Sequence, residues 1–135
     1  DSLDLALMLS ELEIDLLHIS CWDSFSGSKV DTSDSRTITR RFREAVPDNL
    51  PIISTGSIWS SQDASFVLDE GADFIGVARA GIAFPDWASE VCDESYNPPR
   101  PPFTPDQLLD SKLSPRFIEY MRRWKGFVTD GRKKT

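Results

Sequence analysis

At 135 residues the chain is long enough for one packed core but falls well short of the ~250 residues a (β/α)8 barrel takes. A formal net charge of −7 argues against a general nucleic-acid binder, and no apolar run approaches the roughly 20 residues of a membrane span. Cys21 and Cys92 have no CxxC spacing, which suits a reducing cytoplasm rather than a disulfide scaffold, and no metal site is assigned.

The elements alternate. Leu5, Met8, Leu9 and Leu12 repeat at helical spacing near the start, with Ser2 as a cap, and this acidic amphipathic stretch does not resemble a signal peptide. The chain opens inside this pattern without a methionine, as a piece of a longer protein would. Residues 15–20 read as a short apolar strand, and residues 21–33, rich in Ser, Gly and Asp, as a long loop. A helix over 36–46 follows, with Ile38, Phe42, Ala45 and Val46 on one face and Arg40, Arg41 and Arg43 mostly off it. It ends at Pro47, and Pro51 opens the second strand. Ser60 and Asp63 have capping-box spacing for a helix whose apolar face is Ala64, Val67 and Leu68, stopping at Gly71. Residues 72–77 form the third strand. The strands are near-continuous apolar runs, as parallel strands covered on both faces are, so the fold class is α/β with right-handed crossovers.

Beyond Arg79 the pattern changes. Residues 80–83 make a helical turn, and residues 85–92 a helix with Pro85 at its first position. Residues 96–105 hold five of the nine prolines and read as a stiff irregular connector. Ser114-Pro115 starts a last helix whose apolar face is Phe117, Ile118, Met121 and Trp124, and the Lys/Arg-rich residues 129–135 read as a solvated, frayed end.

The chemistry concentrates at two strand ends. One strand stops at Gly56-Ser57, where a missing side chain lets main-chain N–H groups approach a ligand. The next stops at Ala78-Arg79, which adds an open amide and a fixed positive charge. Neighbouring parallel strands ending this way form a seat for a phosphate group. Taken singly, Gly56 reads as a turn glycine and Arg79 as a salt-bridge partner for a neighbouring helix; the phosphate reading rests on their combined spacing.

Gly56-Ser57-Ile58 after a strand, followed by Gly71-Ala-Asp-Phe-Ile-Gly-Val-Ala-Arg79 and the ending Phe84-Pro85-Asp86-Trp87, resembles the last two β-α units of the Old Yellow Enzyme family, the FMN-dependent NAD(P)H:flavin oxidoreductases. The resemblance covers about residues 15–87. It implies that residues 1–92 are the last three or so β-α units of a (β/α)8 TIM barrel carrying the FMN phosphate site, and that residues 93–135 are a proline-rich connector and C-terminal helical extension. In such barrels a phosphate commonly lies in the loops after strands seven and eight, beside a short extra helix. By similarity, Gly56, Ser57 and Ala78 donate main-chain N–H groups to the phosphate and Arg79 pairs with it. The family's usual glycine before the arginine is Ala78 here, which keeps its N–H accessible with less backbone freedom.

The resemblance further implies hydride transfer from NADH or NADPH through the flavin to a small-molecule electron acceptor, often an activated alkene. The family's His/His or His/Asn pair and its proton-donating tyrosine belong to an earlier loop, and Tyr96 and Tyr120 do not match that position. No catalytic residue is assigned, and the piece alone is expected to be inactive. Three strands cut from a barrel leave two open edges and an uncovered inner face, so self-association or pairing with an N-terminal half is expected. Rival readings are a non-catalytic α/β module that binds a phosphate or a partner, and another phosphate-binding TIM-barrel enzyme. Of the remaining residues, His18 reads as a hydrogen-bonded core histidine and Cys21 as an unreactive thiol. Trp22, Phe25 and Trp59 read as rim aromatics that either pack under loops or touch the ligand.

Overall fold

The computed structural model describes residues 2–29 and 32–129. Helix α1 (Ser2–Ser10) leads into strand β1 (Leu17–Ser20), helix α2 (Ile38–Ala45) into β2 (Ile52–Thr55), and α3 (Ser61–Asp69) into β3 (Phe74–Gly76). The strands form one three-stranded parallel sheet in the order β1-β2-β3. Local chemistry sets the element ends. Thr37 caps α2 by accepting from the N–H of Arg40, and Ser60 and Asp63 complete the expected capping box of α3. Gly71, at φ +101°, follows the α3 C-cap, and a side chain there would strike the aliphatic stem of Arg43.

The sheet has one covered and one open face. Ile19, Ile52 and Ser54 are buried beneath the helices, with Ala6, Val46 and Leu50 in the same cluster. Ser54 is fully buried because its hydroxyl pairs with that of Thr39 at 2.7 Å, a polar contact inside the helix-sheet layer. The other face presents the cross-strand rows His18–Ile53–Phe74 and Ser20–Thr55–Gly76. His18 is therefore not a core residue. It is exposed on this open face, and its Nε2 lies 2.8 Å from the Thr55 hydroxyl. The expectation of burial failed because an apolar run says nothing about which face is covered.

Arg43 and Asp73 tie α2 to the start of the sheet. The Arg43 guanidinium donates to the Leu50 carbonyl at 3.0 Å and faces Asp73, whose carboxylate accepts from the Ile52 N–H at 2.8 Å.

After β3 come α4 (Arg79–Ala83), α5 (Trp87–Glu90), α6 (Pro105–Asp110) and α7 (Pro115–Met121). Pro85 lies before α5 rather than at its first position, because Asp86 is the cap. Helix α6 is not among the sequence expectations. The proline-rich stretch ends in Thr104, which forms a capping box with Gln107, and Pro105 occupies the first turn, where its missing N–H costs nothing. Ser114 caps α7 as anticipated. On α7, Ile118 and Met121 are buried while Phe117 is exposed, as is Trp124 just past the helix, and on α3 Leu68 is likewise exposed. The basic end expected at 129–135 lies, past Thr129, outside the described residues.

A second core joins both parts of the chain. Trp59, Val67, Ala80, Ala83 and Trp87 pack with Phe103, Leu108, Ile118, Met121 and Phe127. Phe103 sits at its centre, with ring centroids 6.2 Å from Trp59, 5.7 Å from Phe84 and 5.4 Å from Phe127. No helix among the described residues is long and apolar enough to cross a membrane. Leu108, only 1% exposed, anchors α6 in this core. Truncating it to alanine removes packed methyl groups and leaves a cavity, so Leu108→Ala is expected to lower unfolding free energy by about 2–5 kcal/mol in urea titrations.

Candidate functional site

Parallel strands deliver their following loops to one edge of the sheet. Ser20, Thr55 and Gly76 are paired in register as the last residues of β1, β2 and β3, so the chain leaves the sheet three times along one row. Cys21-Trp22, Gly56-Ser57 and Ala78-Arg79 follow these ends and line one cavity of about 360 Å³. The four residues singled out for a phosphate, Gly56, Ser57, Ala78 and Arg79, all line it.

Gly56 is where the first two loops touch. Its φ is +152°, and a Cβ there would lie 2.7 Å from the Cys21 carbonyl oxygen and 3.0 Å from the Ser24 nitrogen and hydroxyl. The Ser24 N–H donates to the Gly56 carbonyl at 3.1 Å. Ser57 follows in the left-handed region at φ +57°, an uncommon conformation for a residue with a side chain, and its hydroxyl donates to the Trp22 carbonyl at 3.0 Å. Glycine at 56 therefore serves contact between loops as much as access for a ligand.

The polar groups facing the cavity have few partners of their own. Among the described residues, the main-chain N–H groups of Ser57 and Ala78 donate to no protein acceptor, and Arg79 forms no ion pair. The Arg79 guanidinium instead lies over the Trp22 ring, 5.1 Å from its centroid. A ring face orients the cation without neutralising it. Two free amides and an uncompensated guanidinium around one cavity form a donor set that suits a dianionic oxygen group.

The stretch from Ser57 to Ser60 is held from behind. Asp63 accepts from the N–H groups of Trp59 and Ser60, both at 2.9 Å, and from Arg100 at 3.1 Å. Arg100 also covers the Trp59 ring at 5.6 Å, and Trp87 Nε1 donates to the Trp59 carbonyl at 2.7 Å. Of the three rim aromatics, Trp59 is buried, and Phe25 packs on Phe66 with centroids 5.4 Å apart. Trp22, 70% exposed, lines the cavity with its ring beneath the Arg79 guanidinium.

Sequence reasoning missed the far wall. Phe117, Tyr120, Met121 and Trp124 from α7 and the residues after it line the same cavity. Tyr120 matches no family tyrosine, yet the tail brings it to the cavity. The one apolar face expected of Phe117, Ile118, Met121 and Trp124 divides in the structure, with Ile118 and Met121 buried and Phe117 and Trp124 exposed. Cys21 also lines the cavity, and burial together with the nearby Asp23 carboxylate pushes its thiol above the usual range.

Two outcomes follow for these residues. Gly56→Ala is expected to cost more than about 1 kcal/mol in denaturant titration, since neither the φ nor the facing backbone accommodates a Cβ. A raised thiol pKa leaves less thiolate at a given pH, so iodoacetamide at pH 7.5 should label exposed Cys92 well before Cys21, as peptide mass spectrometry would read out.

No protein-family model matches the chain. It is 34% identical over 94 residues to the NADH:fumarate oxidoreductase of Klebsiella pneumoniae, covering 67% of this chain and 10% of that protein. It is 32% identical over 83 residues to the "Probable NADH-dependent flavin oxidoreductase YqiG" of Bacillus subtilis, covering 62% of this chain and 22% of that protein. The chain thus spans about a tenth and about a fifth of these two curated relatives. Among solved structures, a FabK mutant from Thermotoga maritima superposes with TM-score 0.46 at 17% identity, over 61% of this chain and 26% of that one, a likeness too loose to carry weight. Both curated relatives bear the names of NADH-dependent oxidoreductases, one of them a flavin oxidoreductase, which supports a place for this chain's similarity among the NADH:flavin oxidoreductases.

Proposed function

We propose that this chain carries the FMN-phosphate site of an NADH:flavin oxidoreductase of the Old Yellow Enzyme type, with residues 1–92 as the last β-α units of a (β/α)8 barrel. The observation that carries the reading is that, among the described residues, an Arg79 guanidinium with no ion-pair partner and the Ser57 and Ala78 amides with no protein acceptor line one cavity at the C-terminal ends of parallel strands. The names of the relatives support a flavin and NADH. FMN supplies the hydride chemistry when bound.

The chain's own residues hold and orient. Gly56 keeps the first two loops close together beside Ser57, and Ala78 lines the same cavity from the third loop. Arg79, steadied by Trp22, neutralises the phosphate charge from a fixed position. Asp63 and Arg100 fix the backbone of the second loop from behind, so donors need not be ordered when the phosphate arrives. Residues 93–135 back this arrangement through the core they share with α3, α4 and α5. The open row His18–Ile53–Phe74 faces the interior of the completed barrel, and both sheet edges take further strands or a second copy.

Arg79→Ala is expected to weaken FMN binding about 10- to 100-fold, the effect of losing a charge-assisted hydrogen bond, while leaving riboflavin binding unchanged because riboflavin has no phosphate. Titration of intrinsic flavin fluorescence measures both. Equal FMN affinity in the variant and the parent chain would sink the assignment. Equal binding of FMN and a simple sugar phosphate would point to a different phosphate-binding barrel.

A further inference from the structure

Trp22 is where the three strand-end loops meet. Its main chain is fixed on both sides to the end of β2: the Cys21 N–H donates to the Thr55 carbonyl at 2.8 Å and the Ser24 N–H to the Gly56 carbonyl at 3.1 Å. The Trp22 carbonyl accepts from the Ser57 hydroxyl at 3.0 Å, and its ring lies under the Arg79 guanidinium at 5.1 Å. One residue of the first loop thus touches the second loop by its main chain and the third by its side chain.

Burial does not explain the ring. It is 70% exposed, and among the described residues it has no aromatic partner. Arg79 supplies the complementary observation. A guanidinium on a long, rotamer-rich stem samples many positions unless a contact holds it. Among the described residues the Arg79 side chain makes no hydrogen bond and no ion pair, so the Trp22 face is the contact that limits it. The carboxylate next in sequence does not compete for it. Asp23 accepts from the Phe25 N–H at 3.1 Å and the Ser26 hydroxyl at 2.6 Å, and among the described residues it forms no ion pair.

We propose that Trp22 is the positioning residue of the anion seat: its main chain is anchored to the β2 end, its ring face holds the Arg79 guanidinium at the cavity for a phosphate monoester, and it acts through Arg79 rather than on the ligand. This rests on the phosphate reading of the cavity and adds a residue that joins the third loop to the other two. Ordering the cation beforehand removes that cost from binding, and a ring does so without the neutralisation a carboxylate would bring.

The test titrates the whole chain with FMN and with riboflavin, which lacks the phosphate, following flavin fluorescence. The forms compared are the parent, Trp22→Ala, Trp22→Phe, Arg79→Ala and the double variant Trp22→Ala/Arg79→Ala. Trp22→Ala is expected to weaken FMN binding about three- to tenfold, the size of a cation–π contact, with riboflavin binding and the urea midpoint unchanged. Trp22→Phe keeps a ring face and is expected to restore most of the affinity. In the double variant the loss equals that of Arg79→Ala alone, because nothing is left to position. Unchanged FMN affinity in Trp22→Ala, with Arg79→Ala weakened, overturns this inference and leaves the phosphate seat standing. A Trp22→Ala loss shared by riboflavin, or one that persists in the Arg79→Ala background, also overturns it, since Trp22 would then touch the ligand or shape the site on its own. Arg79→Ala binding FMN like the parent, or a parent chain that binds FMN no more tightly than riboflavin, overturns the phosphate reading and this inference together.

Discussion

The register of the parallel sheet is the constraint on which the site depends. Because Ser20, Thr55 and Gly76 are paired across the three strands, three loops distant in sequence emerge side by side. A slip of one residue would turn Ile19, Ile52 and Ser54 to the open face and move each loop along the edge. Helix-sheet packing locks that register. The Thr39–Ser54 hydroxyl pair admits no polar mismatch in a buried layer, and Arg43 with Asp73 pins the opposite end of the strands.

The C-terminal third does not simply trail from this frame. Its Phe103 and Leu108 complete a core with Trp59, Val67 and Trp87, and main-chain bonds between Phe103 and Phe127 at 2.8 Å and between Thr129 and Phe103 at 2.9 Å close the segment on itself. Ser111 adds a bond to the Ala83 carbonyl at 2.6 Å. This closure carries α7 to the cavity and Arg100 to Asp63, so the tail both backs the second loop and lines the cavity.

Electrostatics at the site run against the chain as a whole. A net charge of −7 would repel a dianion at long range, yet Arg79 and Arg123 stand near the cavity on aromatic rings rather than on carboxylates. Elsewhere arginines are consumed internally: Arg36 pairs with Asp34, holding that carboxyl well below its usual range through hydrogen bonds, and Arg40 pairs with Glu70. Holding a cation with a ring orients it without neutralising its charge.

The alternation of helix and strand, the Ser60–Asp63 capping box, the Ser114 cap and the approach of residues 56–57 to 78–79 were legible in the chain, because each rests on spacing over a few residues or on the rule that neighbouring parallel strands end together. Three things were decided only in three dimensions. His18 lies on an open face, since an apolar run does not reveal which side of a strand is covered. Helix α6 starts inside a proline-rich stretch, because Thr104 and Gln107 supply the capping that composition hides. Tyr120 and Trp124 reach the cavity because a core centred on Phe103 folds the tail back over the strand ends, and contacts so distant in sequence leave no local periodic trace.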